Sequence, residues 1–408
     1  MKLLLSFLMV LLPLQGSASA ETSSAAAADR AEAVSGNNAF ALSLYARLRT
    51  QPGNLFFSPE SVSSALAMTY AGARSDTAEE MAKTLHFTLP PDRLHPAMGA
   101  LLTGLNAQHD AYQLSVANAL WAGQDYKFLD AFLKLTASNY GAGVNRVDFK
   151  GAPEAARLTI NQWVEDKTAN KIKDLLKPGM VTPLTRLVLT DAIYFKADWQ
   201  AQFQKAQTED ENFYLSTERK NVQAPLMHRS GGYNYFDGGT FQALEMPYKS
   251  GEMSMIVLLP KDTDGLTALE QSLTASTLPQ WLGQLRPVPR VIVTFPKFKV
   301  TEELELGSTL GAMGMPKAFS RDAADFSGMT GNRELSLSAV IHKAFIDVNE
   351  TGTEAAAATA AVMVGAAMRA PDPTPPPEFR ADHPFVYLIR DNRSGGILFM
   401  GRVNDPTK

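Results

Sequence analysis

The stretch Asn349-Glu-Thr-Gly-Thr-Glu-Ala-Ala-Ala-Ala-Thr-Ala-Ala-Val-Met-Val-Gly-Ala-Ala-Met-Arg-Ala-Pro-Asp-Pro-Thr-Pro-Pro-Pro377 decides how this chain is read. It follows an alternating, strand-like segment, Val340 to Val348. It closes in prolines that suit neither a helix interior nor a central strand. Between these ends there is almost no large side chain and almost no charge. Two readings stand side by side. Alanine is the best helix former, and Thr353-Glu354 resembles a helix start, which gives a short alanine-rich surface helix. Period two gives a strand instead. Thr353, Ala355, Ala357, Thr359, Ala361, Met363 and Gly365 then share one face, and all but Met363 are small. Such a strand can slide between two strands of an existing sheet without meeting the core beneath. Glu354, the only charge between Thr353 and Arg369, falls on the opposite, solvent-facing side.

The 408 residues are 45% hydrophobic and 20% charged, which suits one large globular domain. A net charge of −4 carries no nucleic-acid footprint. With no cysteine, disulfides, thiolate chemistry and cysteine metal sites are excluded. Residues 1–20 read as a signal peptide: Lys2 is the positive start, Leu3 to Leu14 the apolar run, and Ala18-Ser19-Ala20 the cleavage site. Export follows, to a periplasm or to the outside. No other stretch is long and apolar enough to span a membrane. Residues 21–34 are Ala/Ser-rich and read as a flexible lead-in.

From Asn37 the pattern is helical, with Phe40, Leu42, Leu44, Tyr45 and Leu48 on one face. Asn54 to Met68 turns from strand into helix, with Ser58 as cap and Pro59 in the first turn. Further helices are expected over Ala71–Leu85, Phe128–Leu135, Glu154–Leu176, Leu266–Leu285 and Leu304–Met313. Strands are expected over Leu114–Trp121, Leu187–Trp199, Tyr233–Phe236, Phe241–Tyr248, Met253–Leu259, Arg290–Val300 and Leu335–Asn349, with a terminal hairpin at Pro384–Arg390 and Gly396–Val403. Enzyme signatures fail: there is no Gly-x-Ser-x-Gly and no His-Glu-x-x-His. The six histidines lack metal-ligand spacing. No catalytic residue, metal or cofactor is expected.

Glu350 to Thr359 resembles the hinge of the reactive-centre loop of inhibitory serpins. Other segments resemble the same family in order: Ser58 with Ser61, the pair Ala117-Asn118, and Asn161 with Trp163. Asn170-Lys171-Ile172 and Asp174-Leu175-Leu176 follow, then Leu187 to Trp199. The resemblance covers residues 35–408. It implies an α+β fold of about nine helices around three β-sheets, with a mobile reactive-centre loop near 350–377. It implies a suicide-substrate inhibitor of serine proteases, elastase-like or subtilisin-like. A protease would form an acyl-enzyme with the loop and be trapped when the cleaved loop inserts into the main sheet. The alternative is a non-inhibitory relative that binds, stores or chaperones; such relatives often carry bulky, charged or proline residues in the hinge, and Ala355 to Ala361 carries none. The implied partner is a serine protease, with a cysteine protease as the other option, and the implied state is a monomer.

The resemblance also assigns residues. The hinge is Glu350, Gly352, Thr353, Glu354, Ala355, Ala356, Ala357, Ala358 and Thr359. Counting sixteen residues from Glu350 puts the reactive bond at Ala366–Ala367, with Met368 and Arg369 as alternatives. Trp199 and Lys297 lie where the loop enters, and Lys297 would pair with Glu350 as an exposed ion pair of little worth. Ser58, Ser61, Asp191 and His342 lie beneath the centre of the sheet, where strands part. Most relatives have asparagine at the place of Asp191. A carboxylate there would favour a protonated His342, so the expectation is a clamp made by Asp191 and an imidazolium.

Overall fold

The computed structural model describes residues 17–107, 111–141, 143–215, 220–353 and 375–408. In chain order the first half is α1 (Ser17–Leu48), β1 (Leu55–Phe57), α2 (Pro59–Tyr70), α3 (Ser75–Thr84), α4 (Pro91–Asn106), β2 (Tyr112–Gly123), α5 (Asp130–Tyr140), β3 (Val144–Val147), α6 (Pro153–Lys167) and β4 (Leu187–Asp198). Then come β5 (Thr208–Tyr214), β6 (Asn221–Asp237), β7 (Phe241–Pro247), β8 (Met253–Pro260), α7 (Leu266–Ser272), α8 (Thr277–Leu282) and β9 (Arg286–Pro296). The last part is β10 (Phe298–Glu305), α9 (Gly307–Met313), α10 (Ser327–Thr330), β11 (Leu337–Val348), β12 (Gly352–Thr353), β13 (Glu378–Arg380), β14 (Phe385–Asp391) and β15 (Ile397–Val403).

Two hydrogen-bonded sheets carry the fold, not the expected three. One has six strands in the order β10-β11-β12-β4-β2-β3. The other runs β1-β15-β14-β8-β7-β6-β9-β13, with β5 paired to β6. The reason for the merger is β6. It is 17 residues long, its pairing with β9 shifts between Gly231 and Tyr233, and it pairs with β5 at one end and β7 at the other. A bulge of this kind bends a strand without ending it, so two layers stay joined. Ten α-helices, several of them a single turn or two, surround the sheets among the described residues.

Four expected segments differ, one of them Arg290–Val300, which is not one strand but the end of β9 and the start of β10, in different sheets. Residues 21–34 are not a loose lead-in but the first part of α1. Alanine favours this, and side chains hold it: Ala33 and Val34 are buried, Arg93 pairs with Asp29, and Thr88 Oγ1 donates to Glu32 at 2.6 Å. The apolar run of the expected signal peptide lies outside the described residues, and its cleavage motif lies in the first turn of α1. Helix α6 stops at Lys167, short of the expected Leu176. Ala169, Asn170 and Asp174 take positive φ, and Asn161 closes the turn by bonding Leu176 N and O at 2.8 and 3.0 Å. Residues 266–285 make two short helices, split where Leu273 is extended and Thr274 bonds Thr277. Helix α4 was not among the expected elements; Pro91 opens it at the first helical position, and Pro96 lies inside it.

Helix α2 lies between the two sheets and is buried from Pro59 to Thr69. Ser58 caps it, accepting from Ser61 N at 3.1 Å. Its small residues Ser61, Ser64 and Ala65 let the six-stranded sheet pass close above. Glu60 is the exception. It is buried, accepts from Ser64 Oγ at 3.2 Å, and burial pushes its carboxyl up to about 7. A folded value raised above the ordinary 4.5 gives stability at low pH that fades as pH rises through about 7. Glu60→Gln is therefore expected to flatten the fall in melting temperature between about pH 4.5 and 7, an effect of roughly 3 kcal/mol. An unchanged slope in the variant would count against this account of Glu60.

Candidate functional site

The site begins at a seam in the six-stranded sheet. Strands β4 and β11 pair in parallel from Leu187 opposite Leu337 up to Tyr194 opposite Phe345. Above that point they part, and β12 fills the gap. Thr353 pairs with Val348 on β11 and with Ala197 on β4, while Gly352 faces Asp198. The chain reverses through Asn349 to Thr351, where Asn349 N donates to Gly352 O at 2.9 Å and Thr351 N to Asn349 Oδ1 at 3.0 Å. Gly352 is required by close approach: a Cβ there would lie 2.1 Å from Ala197 O. Gly352 and Thr353 of the hinge are thus already a strand between β11 and β4.

Several side chains hold this turn. Trp199, 3% exposed, donates from Nε1 to Asn349 O at 3.0 Å and from its backbone to Thr351 O at 2.9 Å. Core packing and loop contact are both present in the one residue. Lys297 Nζ meets Glu350 Oε1 at 3.1 Å. This is not the expected exposed pair, because Glu350 is buried beneath the turn and also accepts from Thr208 Oγ1 at 2.9 Å. Burial alone would raise its carboxyl. The bonds from its own backbone, Lys297 and Thr208 outweigh that and hold it below its ordinary value.

Tyr248 is the residue that sequence reasoning missed. Its ring stacks on Trp199 with centroids 4.6 Å apart, and its hydroxyl lies 2.8 Å from Thr353 Oγ1. In sequence it is one more aromatic closing a strand. Its contact with the hinge arises only where the two sheets meet. Thr208 was missed for the same reason, lying at the start of a strand that alternation did not reveal.

Lower down the seam, the structure brings Ser58, Ser61, Asp191 and His342 together, with Asn118. Ser61 Oγ donates to Asn118 Oδ1 at 2.9 Å, and Asn118 Nδ2 returns a bond to Ser61 O. Ser58 Oγ donates to Leu398 O at 2.6 Å. His342 Nδ1 lies 3.0 Å from Asp191 Oδ1, and both side chains are fully buried. The expected imidazolium does not fit. Ser58 N donates to His342 Nε2 at 3.1 Å, so Nε2 must present a lone pair. The ring is the neutral tautomer that donates from Nδ1 to Asp191. Asp191 Oδ2 is buried with no hydrogen-bond partner among the described residues. An amide is cheaper to bury than a carboxylate. Asp191→Asn is thus expected to stabilise the intact protein by about 1–3 kcal/mol, read as a higher melting temperature. A lower one would show that the carboxylate is satisfied.

Residues 354–374 lie outside the described residues. With them go Glu354, Ala355, Ala356, Ala357, Ala358 and Thr359 of the expected hinge, the bond Ala366–Ala367, and Met368 and Arg369. The chain is described again from Pro375, where β13 pairs in parallel with β9. Among the described residues no helix is long and apolar enough to cross a membrane, and no acidic or histidine cluster is placed to hold a metal ion.

A chain whose main sheet holds the start of a small-residue segment between two central strands has the architecture of the serpins. Comparison with known proteins agrees. The profile of the Serpin (serine protease inhibitor) family matches residues 35–406, and the chain belongs to that family. It is 40% identical over 380 residues to the leukocyte elastase inhibitor of Homo sapiens, covering 91% of this chain and 99% of that protein. Among solved structures it resembles Serpin48 of the insect Tenebrio molitor, described as highly specific, at 33% identity and a TM-score of 0.80, over 92% and 98% of the two chains. It also resembles human thyroxine-binding globulin in complex with thyroxine, at 33% identity and a TM-score of 0.83, over 93% and 100%.

Proposed function

We propose that the protein is a suicide-substrate inhibitor of serine proteases. The observation that carries this reading is β12: Gly352 and Thr353 already lie between β11 and β4, and the residues that follow in sequence are mostly small. The register of β12 extends simply. Continued down β11, the pairing of Thr353 with Val348 brings Val364 opposite Leu337. Continued down β4, the pairing with Ala197 brings Met363 opposite Leu187. A loop cut at Ala366–Ala367 therefore has enough chain to fill the seam to its end. The inward face would carry Ala355, Ala357, Thr359 and Ala361. The same count sets Thr359 opposite both His342 and Asp191, so its arrival separates that pair.

Filling the seam adds on the order of ten ladder hydrogen bonds at about 0.5–1.5 kcal/mol net each. That rivals the whole stability of a typical domain, so the uncut form is kinetically held. In this reading the protease serine attacks the loop and forms an ester with Ala366. Release of the new amino terminus at Ala367 frees the hinge to insert. The tethered enzyme is carried along and distorted before water can complete the cycle.

Alanine before the cut suits a small apolar pocket, which favours an elastase-like or subtilisin-like target. The similarity to the leukocyte elastase inhibitor supports the same choice. Lys2, the apolar run to Leu14 and Ala18-Ser19-Ala20 support export of the mature chain.

The test is incubation with elastase-like, subtilisin-like and trypsin-like proteases, followed by denaturing electrophoresis and mass analysis. A denaturation-resistant complex with the elastase-like or subtilisin-like enzyme is expected, releasing a peptide that begins at Ala367. Thr353 is fully buried and faces Tyr248, so Thr353→Arg is expected to be cut without forming the complex. Clean cleavage of the unmodified protein by all three enzymes, with no gain in thermal stability, would point instead to a binding or storage role.

A further inference from the structure

The other end of the loop is held differently. Strand β13 is only three residues, at the edge of its sheet; its ladder bonds run to β9, and Glu378 O also accepts from Gln242 Nε2 of β7 at 2.9 Å. Just beyond it, His383 is nearly buried, with its side chain 7% exposed. Its Nδ1 lies 2.9 Å from Asp382 Oδ1, and its Nε2 lies 2.7 Å from Pro260 O at the end of β8. A carbonyl oxygen can only accept. A carboxylate can only accept as well, and Asp382 stays ionised: burial pushes it up, but the bonds from His383 and Arg380 hold it below its ordinary value. Both ring nitrogens therefore donate, and a ring that donates twice carries both protons.

We propose that His383 is a proton-operated latch that fastens β13, and with it the C-terminal end of the loop, to the body of the protein. Loss of one proton leaves a lone pair facing either Pro260 O or the Asp382 carboxylate. One of the two ties then turns repulsive. The latch is closed at acidic pH and opens as pH rises.

The charged groups around it are few. On its own segment Arg380 pairs with Asp382 and with Glu211 of β5. On β6, His228 faces Glu211 through Nε2 and the Thr294 hydroxyl through Nδ1. That hydroxyl can donate or accept, so no charge is forced on His228. Lys261, next to Pro260, is turned to Asp237. Only His383 has two partners that demand two protons. The proposal stands on this geometry and does not require that the protein be an inhibitor.

The experiment is hydrogen exchange of the full chain at about pH 5.5 and about pH 8.5, corrected for intrinsic exchange and read at the peptide spanning 378–384. Opening of β13 is expected to rise about tenfold across that range. His383→Lys keeps a charged donor throughout and should hold β13 closed at both values. His383→Gln should leave it open at both, while His228→Gln should keep the original profile. Opening that ignores pH in the unmodified chain would overturn the proposal. So would a profile that persists in the lysine variant, and that comparison stands even if the glutamine variant folds poorly.

Discussion

The parallel ladder between β4 and β11 is the joint on which the molecule depends. Every other long pairing in the six-stranded sheet, bar the short β2–β3 edge, is antiparallel: β4 against β2, and β11 against β10. Parallel pairing is slightly weaker per residue. A sheet that must open will therefore part here and leave two intact halves. Helix α2 lies beneath the joint, with Val62 and Leu66 in the same apolar cluster as Leu187, Leu189, Leu337 and Val340. Polar ties are added to this packing: Ser61 to Asn118 on one half, Ser58 to His342 on the other. Such ties are directional but few, so the halves are held in register without being keyed together.

Much of this was legible in the sequence, because the hinge has a signature that ordinary folding would not produce. Small residues at every second position serve nothing in a solvent-facing helix. They matter only if a face must pass over a core already built. The tie residues were legible too, as serines before and inside a helix and as a histidine within an apolar alternation. What could not be read were contacts between segments far apart in the chain. Tyr248 and Thr208 touch the hinge because β5 and the end of β7 are brought to the top of the seam. The end of α6 was hidden for a related reason. Asn161 terminates it by bonding Leu176, fifteen residues on, while local propensity still favours helix.

The protonation of His342 shows where inference from residue types fails. A histidine beside a carboxylate suggests an ion pair, and from the pair alone that is sound. The third partner decides otherwise. A backbone N–H from Ser58 occupies Nε2, and that N–H is fixed there by the start of α2. The same rule, applied to His383, gives the opposite result, because its second partner is a carbonyl instead of an N–H. Two buried histidines each face an aspartate, and what separates them is one backbone group, an N–H that donates to His342 and a carbonyl that accepts from His383.

The two ends of the loop are consequently held by different physics. At the hinge two ties are neutral bonds made in the interior, Trp199 to Asn349 and Tyr248 to Thr353, and a third runs from the Thr208 hydroxyl to the buried Glu350 carboxylate. The one ion pair there, Lys297 with Glu350, is backed by that hydroxyl and by burial. At β13 the ties are charges in partial contact with solvent, with Arg380 38% and Glu211 25% exposed. Exposed charges are screened by salt and moved by pH, whereas buried neutral bonds are largely indifferent to both. The insertion end is thus insulated from its surroundings, and the far end is exposed to them. A device that must fire only when cut benefits from that division, since solution conditions can loosen the tether without drawing the hinge into the sheet.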